Sequence, residues 1–538
     1  MAAMYDATWL LRVHARRRLR QLAYMDPEQA QRRVLFSLIR RARRTKFGRD
    51  HEFATIRSLD GFRSRVPLRD YDAFWNQYWR ASFPRLTNCT WPGHIPWFAV
   101  SSGTTTGATK YIPVSREMRR SNVRAGVEVM VHHLANRPTS RLLAGRVFML
   151  GGSTGLVRCA PGVHSGDLSG IAAAEMPGWA RLRYFPPRTL EGIADWEEKI
   201  NRFAEHSLNA EIAAVAGTPS WLLIFFERLA EIARMKGYAA SGRVADIYPR
   251  LEMLSHGGVA WTPYRDRFAA LLEGSGTETR EVYPASEGFF AVADRGDGEG
   301  LRLLLDTGIF YEFVPLDEID NATPDCRWVG DVEPGVNYAL AVTTCAGLWR
   351  YLIGDTVTVV ERNPPRVLVT GRTSYMLSAF GEHVIGAEVE CAVAEAAAAI
   401  GATVTDFAAG SLFPERAGAR GGHLYIVEFG AEPGSGRGGI DRTQRMRFAE
   451  RLDATLCHLN DDYAAHRAGG YGMDAAQVRL LPPGGFAAWM KSRGKLGGQN
   501  KVPRIINDRA LFAALQTFAD AYEHPVGGGR CHRGPTQN

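Results

Sequence analysis

Between residues 95 and 305 the chain alternates short apolar runs with longer segments whose apolar residues recur at helical spacing. Residues 97–100 and 147–150 are strand-like, and 220–235 follow the period of a helix. Short strands that feed loops and helices are typical of an α/β fold. Ligand groups tend to converge in the loops at strand ends of such folds. We therefore expect a large N-terminal α/β domain that carries a binding site at its strand ends.

The rest of the sequence predicts where this domain ends and which domain comes after it. Short β-rich runs dominate 301–370 and predict a β-rich subdomain, so that the N-terminal domain spans 1–370. Residues 380–524 predict a smaller, mobile C-terminal α+β domain, joined through a hinge at 371–379. The Gly-rich stretch 525–538 lacks the apolar content needed to pack, so we expect a disordered tail. Within the C-terminal domain, helices are predicted at 386–400, 443–465 and 509–522, and a strand at 423–429.

The N-terminal segment, residues 8–46, is rich in arginine and poor in acidic residues. Leu35, Leu38, Ile39 and Ala42 fall at the i, i+3, i+4, i+7 spacing of one helix face. We predict two amphipathic helices. An organelle transit peptide or a phosphate-binding arm would have a similar composition, but the interpretation we favour is a helix pair docked on the domain with its arginines in water.

Net charge and cysteine content indicate which partners, cross-links and metal sites to expect. The net charge is +8 over 538 residues, with a pI near 9.1, which permits a nucleic-acid partner without requiring one. The seven cysteines are widely separated and form no CxxC pair, so reduced thiols are expected instead of a disulfide framework or zinc site. The sequence shows no run of eighteen apolar residues and no basic–apolar–small-residue pattern of a leader, so we expect neither a membrane span nor a secretory signal. We expect a cytoplasmic monomer without a membrane or nucleic-acid partner.

Lysines are informative in this chain because there are only seven, against 58 arginines. Lys110 closes the segment 101–110, which is rich in hydroxyl side chains, contains two glycines and directly follows a strand-like run. Free backbone amides, hydroxyl donors and one compact cation suit a polyphosphate. The spacing differs from that of a Walker P-loop, so a P-loop fold is not indicated. A solvated Ser/Thr/Gly linker is the alternative.

Three further segments carry residue types that suit nucleotide chemistry. Tyr283 stands four residues before Glu287, so that a ring for adenine would lie beside a carboxylate for Mg²⁺. Asp355 follows Gly354 at a predicted strand end, where a carboxylate can accept the hydroxyls of a ribose. Lys501 lies in a Gly-rich loop before the last predicted helix. The alternatives are a glutamate that caps a turn, a Gly-Asp turn and a solvated lysine loop.

Taken together and in this order, the segments resemble the adenylate-forming enzymes. They resemble most closely the auxin-responsive Gretchen Hagen family of acyl-acid amido synthetases. Residues 101–110 are similar to that family's phosphate loop, 283–287 to its Tyr-x-x-Ser-Glu motif and 348–355 to its Arg-Tyr-x-x-Gly-Asp motif. Residues 371–382, with Gly371-Arg372, Leu377 and Gly381-Glu382, resemble the hinge crossing, and 499–504 resemble the terminal lysine loop.

The resemblance covers roughly 45–510 and implies a two-step ligase that uses ATP and Mg²⁺. A small carboxylic acid would be adenylated with release of pyrophosphate, and the acyl group would then pass to the amine of an amino acid. Glu287, as metal ligand, and Lys501 would be catalytic, with the C-terminal domain rotating about Arg372 to deliver the lysine. The residues implied to bind ATP or AMP are Ser101, Ser102, Gly103, Thr104, Thr105, Thr106, Lys110, Gly257, Gly258, Val259, Tyr283, Ser286, Asp355 and Arg372.

Two other functions remain open at the level of the sequence. An acyl coenzyme A ligase would share the adenylation step and differ only in its acceptor. A non-catalytic basic binding protein, for example for nucleic acid, would account for the arginine-rich start and would lose affinity steeply with salt. The acid and the amine are not specified by the sequence. His256, before the Gly-Gly pair, could orient the acyl carboxylate or cap a strand, and we favour the cap.

Overall fold

The computed structural model forms two compact units, one within Met1–Thr373 and one within Ser374–Leu496 and Asn500–Asn538. The division falls inside the segment 371–379, for which the predicted hinge motion stays a prediction. The predicted tail, 525–538, lies outside the described residues. The structure describes residues 5–102, 109–151, 155–176, 178–190, 192–193, 196–258, 261, 264–296, 298–319, 321, 323–373, 376–377, 379, 382, 384–413, 421–430, 440–460, 463–464, 467, 473–493 and 502–523.

The described part of the first unit contains one large mixed sheet and one small sheet. In chain order its strands are β1 (Trp97–Ser102), β2 (Thr109–Val114), β3 (Arg146–Leu150), β4 (Val157–Ala160), β5 (Val163–Gly166), β6 (Tyr184–Phe185), β7 (Ile212–Gly217), β8 (Met253–Gly257), β9 (Glu278–Ala285), β10 (Gly288–Val292), β11 (Leu301–Leu303), β12 (Ile309–Pro315), β13 (Arg327–Trp328), β14 (Asn337–Thr344), β15 (Tyr351–Arg362) and β16 (Pro365–Arg372). The small sheet has the order β2-β1-β5-β4, and the large one β13-β12-β14-β15-β16-β11-β10-β9-β8-β7-β3-β6.

The large sheet is parallel on one side and antiparallel on the other. Strands β6, β3, β7, β8 and β9 are parallel to their neighbours, whereas β9 to β16 pair antiparallel. The strands predicted for 301–370 are present, and they extend this same sheet. The α/β prediction for the N-terminal domain is therefore confirmed, and its β-rich part is continuous with the parallel part.

Helices pack on the sheets and add buried apolar faces to the core. The helix α10 (Pro219–Met235) shows why: its buried residues Leu222, Phe226 and Leu229 lie on one face at spacings of three and four. In chain order the α-helices of this unit are α1 (Thr8–Ala23), α2 (Pro27–Ala42), α3 (Lys46–Asp50), α4 (Leu59–Arg65), α5 (Tyr71–Phe74), α6 (Arg116–Asn136), α7 (Leu168–Ala174), α8 (Gly178–Arg181), α9 (Trp196–Ser207), α10, α11 (Val244–Ile247) and α12 (Arg265–Leu271).

The two predicted N-terminal helices are α1 and α2, and they are docked on the first unit. Helix α2 begins with Pro27 at its first position, after Asp26 as N-cap. Its predicted apolar face, Leu35 to Ala42, is buried. The Gln31 amide donates to the carbonyls of Leu305 and Ile309 at 2.8 and 2.9 Å, which fixes the helix against the start of β12. The docked helix pair is therefore confirmed, but its arginines are not all in water, because Arg18 on α1 is buried and pairs with Glu128 and Asp306.

The predicted phosphate-loop segment follows strand β1, as expected, and leads into a second strand. Ser101 on β1 pairs with Lys110 on β2 in an antiparallel register, so 103–108 join two strands of a hairpin. Lys110 thus lies in a strand, because its neighbours Thr109 and Tyr111 have high strand propensity. The next helix, α6, begins only after the N-cap Ser115. Any phosphate site here is built on a hairpin and not on a helix N-terminus.

The second unit is an α+β fold, as predicted. Its strands are β17 (Met376–Leu377), β18 (Val384–Ile385), β19 (Val404–Leu412), β20 (Gly422–Phe429) and β21 (Gln477–Leu481), and its helices are α13 (Gly386–Ala399), α14 (Arg442–Leu459), α15 (Gly485–Ser492) and α16 (Arg509–Glu523). Strands β19, β20 and β21 form a sheet with β20 in the centre, fully buried. Helices α13 and α14 supply the core on one side, and α15 and α16 supply the other.

Helix α14 ends earlier than the sequence predicts. It stops at Leu459, whereas the prediction extends to 465. Asn460 has an extended backbone, with φ of −136°, and its side-chain oxygen accepts from the Tyr463 backbone N at 2.7 Å. An asparagine that caps a following turn in this way competes with helical hydrogen bonding, so the helix is terminated there.

The described helices and cysteines can be compared with the predictions made from composition. None of these helices combines the length and the apolar character that crossing a membrane requires. The six cysteines in the described part of the chain are free thiols. Burial raises the pKa of the Cys345 thiol to about 12, so at neutral pH it is protonated and a poor nucleophile.

Arg350, part of the predicted Arg-Tyr-x-x-Gly-Asp motif, has a structural role. It is buried in the left-handed region at φ of 48°, and its Nε donates to Glu312 Oε2 at 2.9 Å. Its Nη1 donates to the Val66 carbonyl at 2.8 Å. We expect Arg350→Met to lower the free energy of unfolding by about 3 kcal/mol, because it leaves a buried carboxylate poorly paired. Equilibrium denaturation in urea measures the free energy of unfolding of the wild-type and variant proteins.

The matched control for that prediction is Arg327→Met. Arg327 pairs with the exposed Asp325, and exposed ion pairs contribute about 0–1 kcal/mol. Equal losses of stability in the two variants would contradict the structural role assigned to Arg350.

Candidate active site

The predicted ribose ligand, Asp355, is held by two of the other predicted site residues. Asp355 on β15 stands directly opposite Arg372 on β16, and the Arg372 Nε lies 3.0 Å from its Oδ1. The Tyr283 hydroxyl, from β9, donates to its Oδ2 at 2.6 Å. The Asp355 side chain keeps 17% of its exposure. Three motifs that are far apart in sequence therefore meet at one carboxylate that a ligand can still reach.

Glu287 belongs to the same cluster of charges. It lies in the short turn between β9 and β10, and the Tyr351 hydroxyl donates to its carboxylate. Burial raises the pKa of Glu287, and the negative charge of Asp355 adds to this shift. The positive charges of Arg372 and Lys110 oppose it. A carboxylate whose charge is disfavoured in this way gains most from an added cation.

Lys110 brings one end of the predicted phosphate loop to this cluster. Its Nζ lies 5.5 Å from the centre of the Tyr71 ring. The Tyr71 hydroxyl accepts a hydrogen bond from the Tyr111 backbone N at 2.9 Å, which fixes β2 beside α5. Ser101, partly exposed, faces Lys110 across the hairpin. Lys110, at one described end of the loop, thus lies within electrostatic reach of Glu287.

Tyr283 orients Asp355, a role that the sequence did not reveal. Its ring is 6% exposed and packs edge-on against Phe290, with ring centres 5.1 Å apart. Burial, reinforced by Asp355, raises the pKa of the Tyr283 hydroxyl well above its usual value, so the group stays a neutral donor. A ring buried to this extent offers little surface to a base. The predicted adenine contact stays a prediction, as does the role of Ser286, which is half-buried in the turn.

Gly257 ends β8 and Gly258 follows it, next to this cluster. Gly257 pairs with Val282, and a Cβ atom added at Gly257 would lie 2.3 Å from the Val282 carbonyl oxygen. Only glycine permits this approach of β8 to β9. Gly258 is exposed and has φ of 82°. The two glycines therefore have a structural reason to be there, beside the strand that carries Tyr283.

His256 does not cap a strand, so the prediction made from the sequence is wrong. It is fully buried within β8 and stacks on Trp261, with ring centres 3.6 Å apart. Burial lowers the pKa of His256 to about 3, so the ring is neutral. Neither ring nitrogen has a hydrogen-bond partner among the described residues. His256 therefore packs as an aromatic ring in the core behind the site.

Several predicted site residues cannot be placed. The side chain of Ser102, at the end of β1, is not described. Those that lie outside the described residues are Gly103, Thr104, Thr105, Thr106, Val259 and Lys501. Their predicted roles stay predictions.

The segment that follows Lys501 is anchored within the second unit. Ile505 forms a parallel bridge with Ala409 on β19. The Arg504 guanidinium pairs with Asp406 and lies 4.5 Å from the centre of the Phe407 ring. The end of the lysine loop is therefore tied to strand β19 of this unit.

Glu382, from the motif that resembles the hinge crossing, is also a structural residue. It is fully buried, and its Oε1 lies 2.7 Å from Nε2 of the buried His423. The same oxygen accepts from the Ala379 backbone N at 3.2 Å. This carboxylate holds the start of the second unit together.

The residues present fit a magnesium ion that is shared with phosphate. Among the described residues there is no group of three or more His, Cys, Asp or Glu that could hold a metal alone. Magnesium is usually bound by one or two carboxylates together with substrate phosphates. Glu287 supplies one carboxylate, and the nearby Asp355 is already engaged by Tyr283 and Arg372. The donor set therefore suits a magnesium–nucleotide complex.

Comparison with known families decides the assignment. The models of the GH3 family N-terminal, central and C-terminal domains match residues 17–150, 302–372 and 387–510. Together they cover more than half of the chain in the expected order. The chain belongs to the GH3 family. The resemblance to the Gretchen Hagen enzymes is confirmed.

Curated GH3 relatives are similar over part of their length. Indole-3-acetic acid-amido synthetase GH3.8 of Oryza sativa subsp. indica is 29% identical over 219 residues, which are 39% of this chain and 35% of the relative. The 4-substituted benzoates-glutamate ligase GH3.12 of Arabidopsis thaliana is 24% identical over 218 residues, which are 39% of this chain and 37% of the relative. The aligned part thus spans about a third of the length of these relatives.

Solved structures match the GH3 chain over nearly its whole length. AtGH3.15 acyl acid amido synthetase in complex with 2,4-DB aligns with a TM-score of 0.76 at 17% identity, covering 93% of this chain and 95% of that one. A 2-hydroxyisobutyryl-CoA ligase in its postadenylation state, in complex with 2-HIB-AMP, aligns with a TM-score of 0.57 at 17% identity, covering 92% and 91%. These likenesses confirm the fold of adenylate-forming ligases.

Proposed function

We propose that this GH3 protein is an ATP-dependent acyl-acid amido synthetase. It would adenylate a small carboxylic acid and pass the acyl group to the amine of an amino acid. The observation that carries this proposal is the cluster in which Tyr283, Glu287, Asp355 and Arg372 meet, with Lys110 alongside. The relatives support it, since their names describe amido synthetases and a benzoate–glutamate ligase.

Asp355 is suited to hold the ribose of ATP. A carboxylate has about four acceptor positions, and Tyr283 and Arg372 occupy about one on each oxygen. The remaining positions are available to two neighbouring hydroxyl groups. Tyr283 and Arg372 fix the carboxylate before a ligand arrives. Orienting it on binding therefore costs little entropy.

The phosphates would lie between Lys110 and Glu287. Lys110 contributes a positive charge, and the hydroxyl-rich loop 103–108 would contribute donors. Mg²⁺, held by Glu287 and the phosphates, would neutralise charge on the transferring phosphoryl group. The Tyr351 hydroxyl, hydrogen-bonded to Glu287, keeps that carboxylate in place.

The reaction has two steps. In the first, an oxygen of the substrate carboxylate forms a bond to the α-phosphorus of ATP, and the bond to pyrophosphate breaks. In the second, the amine nitrogen of an amino acid bonds to the acyl carbon, the bond to AMP breaks and the amine loses a proton. We propose that Lys501 serves the first step after rotation of the C-terminal domain about the hinge, as in the family it resembles.

An acyl coenzyme A ligase is the second candidate, because the chain also shares its fold with a CoA ligase. Membership of the GH3 family favours an amine acceptor. The cytoplasmic location, the monomeric state and the lack of a nucleic-acid partner stay predictions.

The acceptor can be identified by mass spectrometry. The protein is incubated with ATP, magnesium and a panel of aryl and alkyl acids, and either pooled amino acids or coenzyme A is added. We expect amides with amino acids and no thioester. Thioester as the sole product would overturn the proposal in favour of the CoA ligase.

A further inference from the structure

Helices α2 and α6 of the first unit border a cleft of about 770 Å³ that the proposed reaction does not use. Its lining shares no residue with the candidate active site. One wall is the polar face of α2, with Arg33 and Arg41, and the other is the first half of α6, with Arg120 and Arg124. Its volume is within the range of about 300–1,000 Å³ typical of small-molecule sites.

Helical periodicity explains why the arginines face one space. Arg120 and Arg124 are four residues apart on α6, and Arg33 and Arg41 are eight residues apart on α2. Residues at these spacings lie on one face of a helix. Because both faces border the same cleft, positive charge from two elements is concentrated there.

Two of the three acidic residues that line the cleft are paired with arginines. Asp306 accepts from both terminal nitrogens of Arg18, at 2.7 and 2.8 Å. Glu117 pairs with Arg41. Asp26 caps α2 and accepts from the Gln29 backbone N at 2.9 Å. Among the described residues, Asp26 is thus the one carboxylate of the lining without an arginine partner, against three arginines without a carboxylate partner.

The remaining positive charges lack a counter-charge. Within the described part of the chain, no carboxylate lies within ion-pair distance of Arg33, Arg120 or Arg124. Arg33 donates only to the neutral side chain of Gln29. Ser121, 3% exposed, also lines the cleft, and its hydroxyl has no hydrogen-bond partner among the described residues. Three arginines without a carboxylate partner and one buried hydroxyl without a hydrogen-bond partner, among the described residues, thus line the cleft.

The backbone of both walls is fixed. On α2, Gln31 donates to two carbonyls and accepts from the Tyr311 backbone N at 2.9 Å. At the start of α6, the Ser115 hydroxyl accepts from the Met118 backbone N and donates to the Cys345 carbonyl at 2.6 Å. A site with fixed walls loses less entropy when a ligand binds.

We propose that the cleft between α2 and α6 binds a compact polyphosphate, that is, an anion with two or three linked phosphate groups. Guanidinium groups match phosphate oxygens in two-pronged geometry, and the Ser121 hydroxyl would donate to another oxygen. The charges are gathered in one cleft and do not form a stripe, which favours a compact anion over nucleic acid. This proposal does not rest on the proposed ligase activity.

The test is calorimetric titration of the full chain with sodium tripolyphosphate at constant ionic strength. A triple variant combines Arg33→Gln, Arg120→Gln and Arg124→Gln. We expect this variant to bind tripolyphosphate at the cleft roughly tenfold more weakly or worse, and Lys110→Gln to leave that binding intact. The matched control is Arg40→Gln with Arg116→Gln, which changes exposed arginines of the same helices outside the cleft. Thermal unfolding verifies that every variant is folded.

Two further arms identify the ligand. Guanosine triphosphate that binds as tightly as tripolyphosphate would show that the phosphate chain is the ligand, and tighter binding would show that the nucleoside contributes. Either result supports the site if the triple variant no longer binds guanosine triphosphate or tripolyphosphate at the cleft. Unchanged tripolyphosphate binding in the triple variant would overturn the proposal, as would binding of single-stranded RNA alone. We expect amide formation to be unchanged in the triple variant, so this test and that of the ligase activity can fail separately.

Discussion

Replacing Asp355 by asparagine should lower kcat/KM for ATP on the order of 10²-fold or more in carboxylate-dependent pyrophosphate exchange. The substitution keeps the size of the side chain but removes the charge that pairs with Arg372. It also leaves an amide nitrogen where the Tyr283 hydroxyl or a ribose hydroxyl would donate. Hydrogen bonds to a charged acceptor contribute about 1.5–3 kcal/mol each, so the loss of two accounts for this magnitude.

Tyr283→Phe is the matched control, because it removes one donor to Asp355 and retains the buried ring. We expect a loss of roughly tenfold. Thermal unfolding of both variants separates loss of binding from loss of fold. A D355N enzyme with the wild-type KM for ATP would exclude Asp355 as the ribose ligand.

Glu287→Gln should reduce kcat for adenylation by about 10²-fold or more, and excess magnesium should not restore it. Glutamine can still accept the hydrogen bond from Tyr351 but no longer provides a charged oxygen for the metal. The measurement is pyrophosphate exchange over a magnesium titration, with Tyr351→Phe as the control that perturbs the carboxylate without removing its charge. If magnesium rescued Glu287→Gln fully, Glu287 would not be the metal ligand.

The same residue predicts the pH dependence. Burial, together with Asp355, raises the pKa of Glu287, and the carboxylate must be ionised to hold a cation. Activity should therefore rise with pH through this pKa, and the acid limb of kcat/KM should lie above the usual range of a glutamate. The limb should disappear in Glu287→Gln. An acid limb that persists unchanged there would assign it to another group.

The sequence reveals which residues have side chains suited to bind a nucleotide and a metal. It does not reveal which of them form hydrogen bonds and ion pairs with one another. Glu287 and Asp355 are predicted from local features, namely a tyrosine at a fixed spacing and a preceding glycine. The pairing of Asp355 with Arg372 depends on the register of β15 and β16. The hydrogen bond from Tyr283 spans 72 residues. Register and long-range pairing result from the whole sheet, and no local pattern encodes them.

Other residues of the motifs proved to be structural. Arg350 and Glu382 belong to recognised motifs, yet both are buried in hydrogen-bonded networks within one unit. His256 is predicted to cap a strand but packs as a neutral ring. A single sequence does not distinguish a residue that contacts a ligand from one that supports its neighbour, because both occur at the ends of strands.

The N-terminal helices illustrate the same limit. Their existence and buried face follow from the 3.6-residue period, and the structure confirms both. Which arginines remain without a carboxylate depends on α6 and on the turn at Asp306, which are distant in sequence. The cleft between α2 and α6 could not be derived from the arginine-rich composition alone.

The most direct test of the account is carboxylate-dependent exchange of pyrophosphate into ATP in the presence of magnesium, followed by amide formation. It is measured for the wild-type protein and for Asp355→Asn. The account predicts exchange that requires a carboxylic acid, that is lost in the variant and that leads to an amide when an amino acid is added. Absence of exchange with every aryl and alkyl acid of a broad panel, in a folded protein, would contradict it.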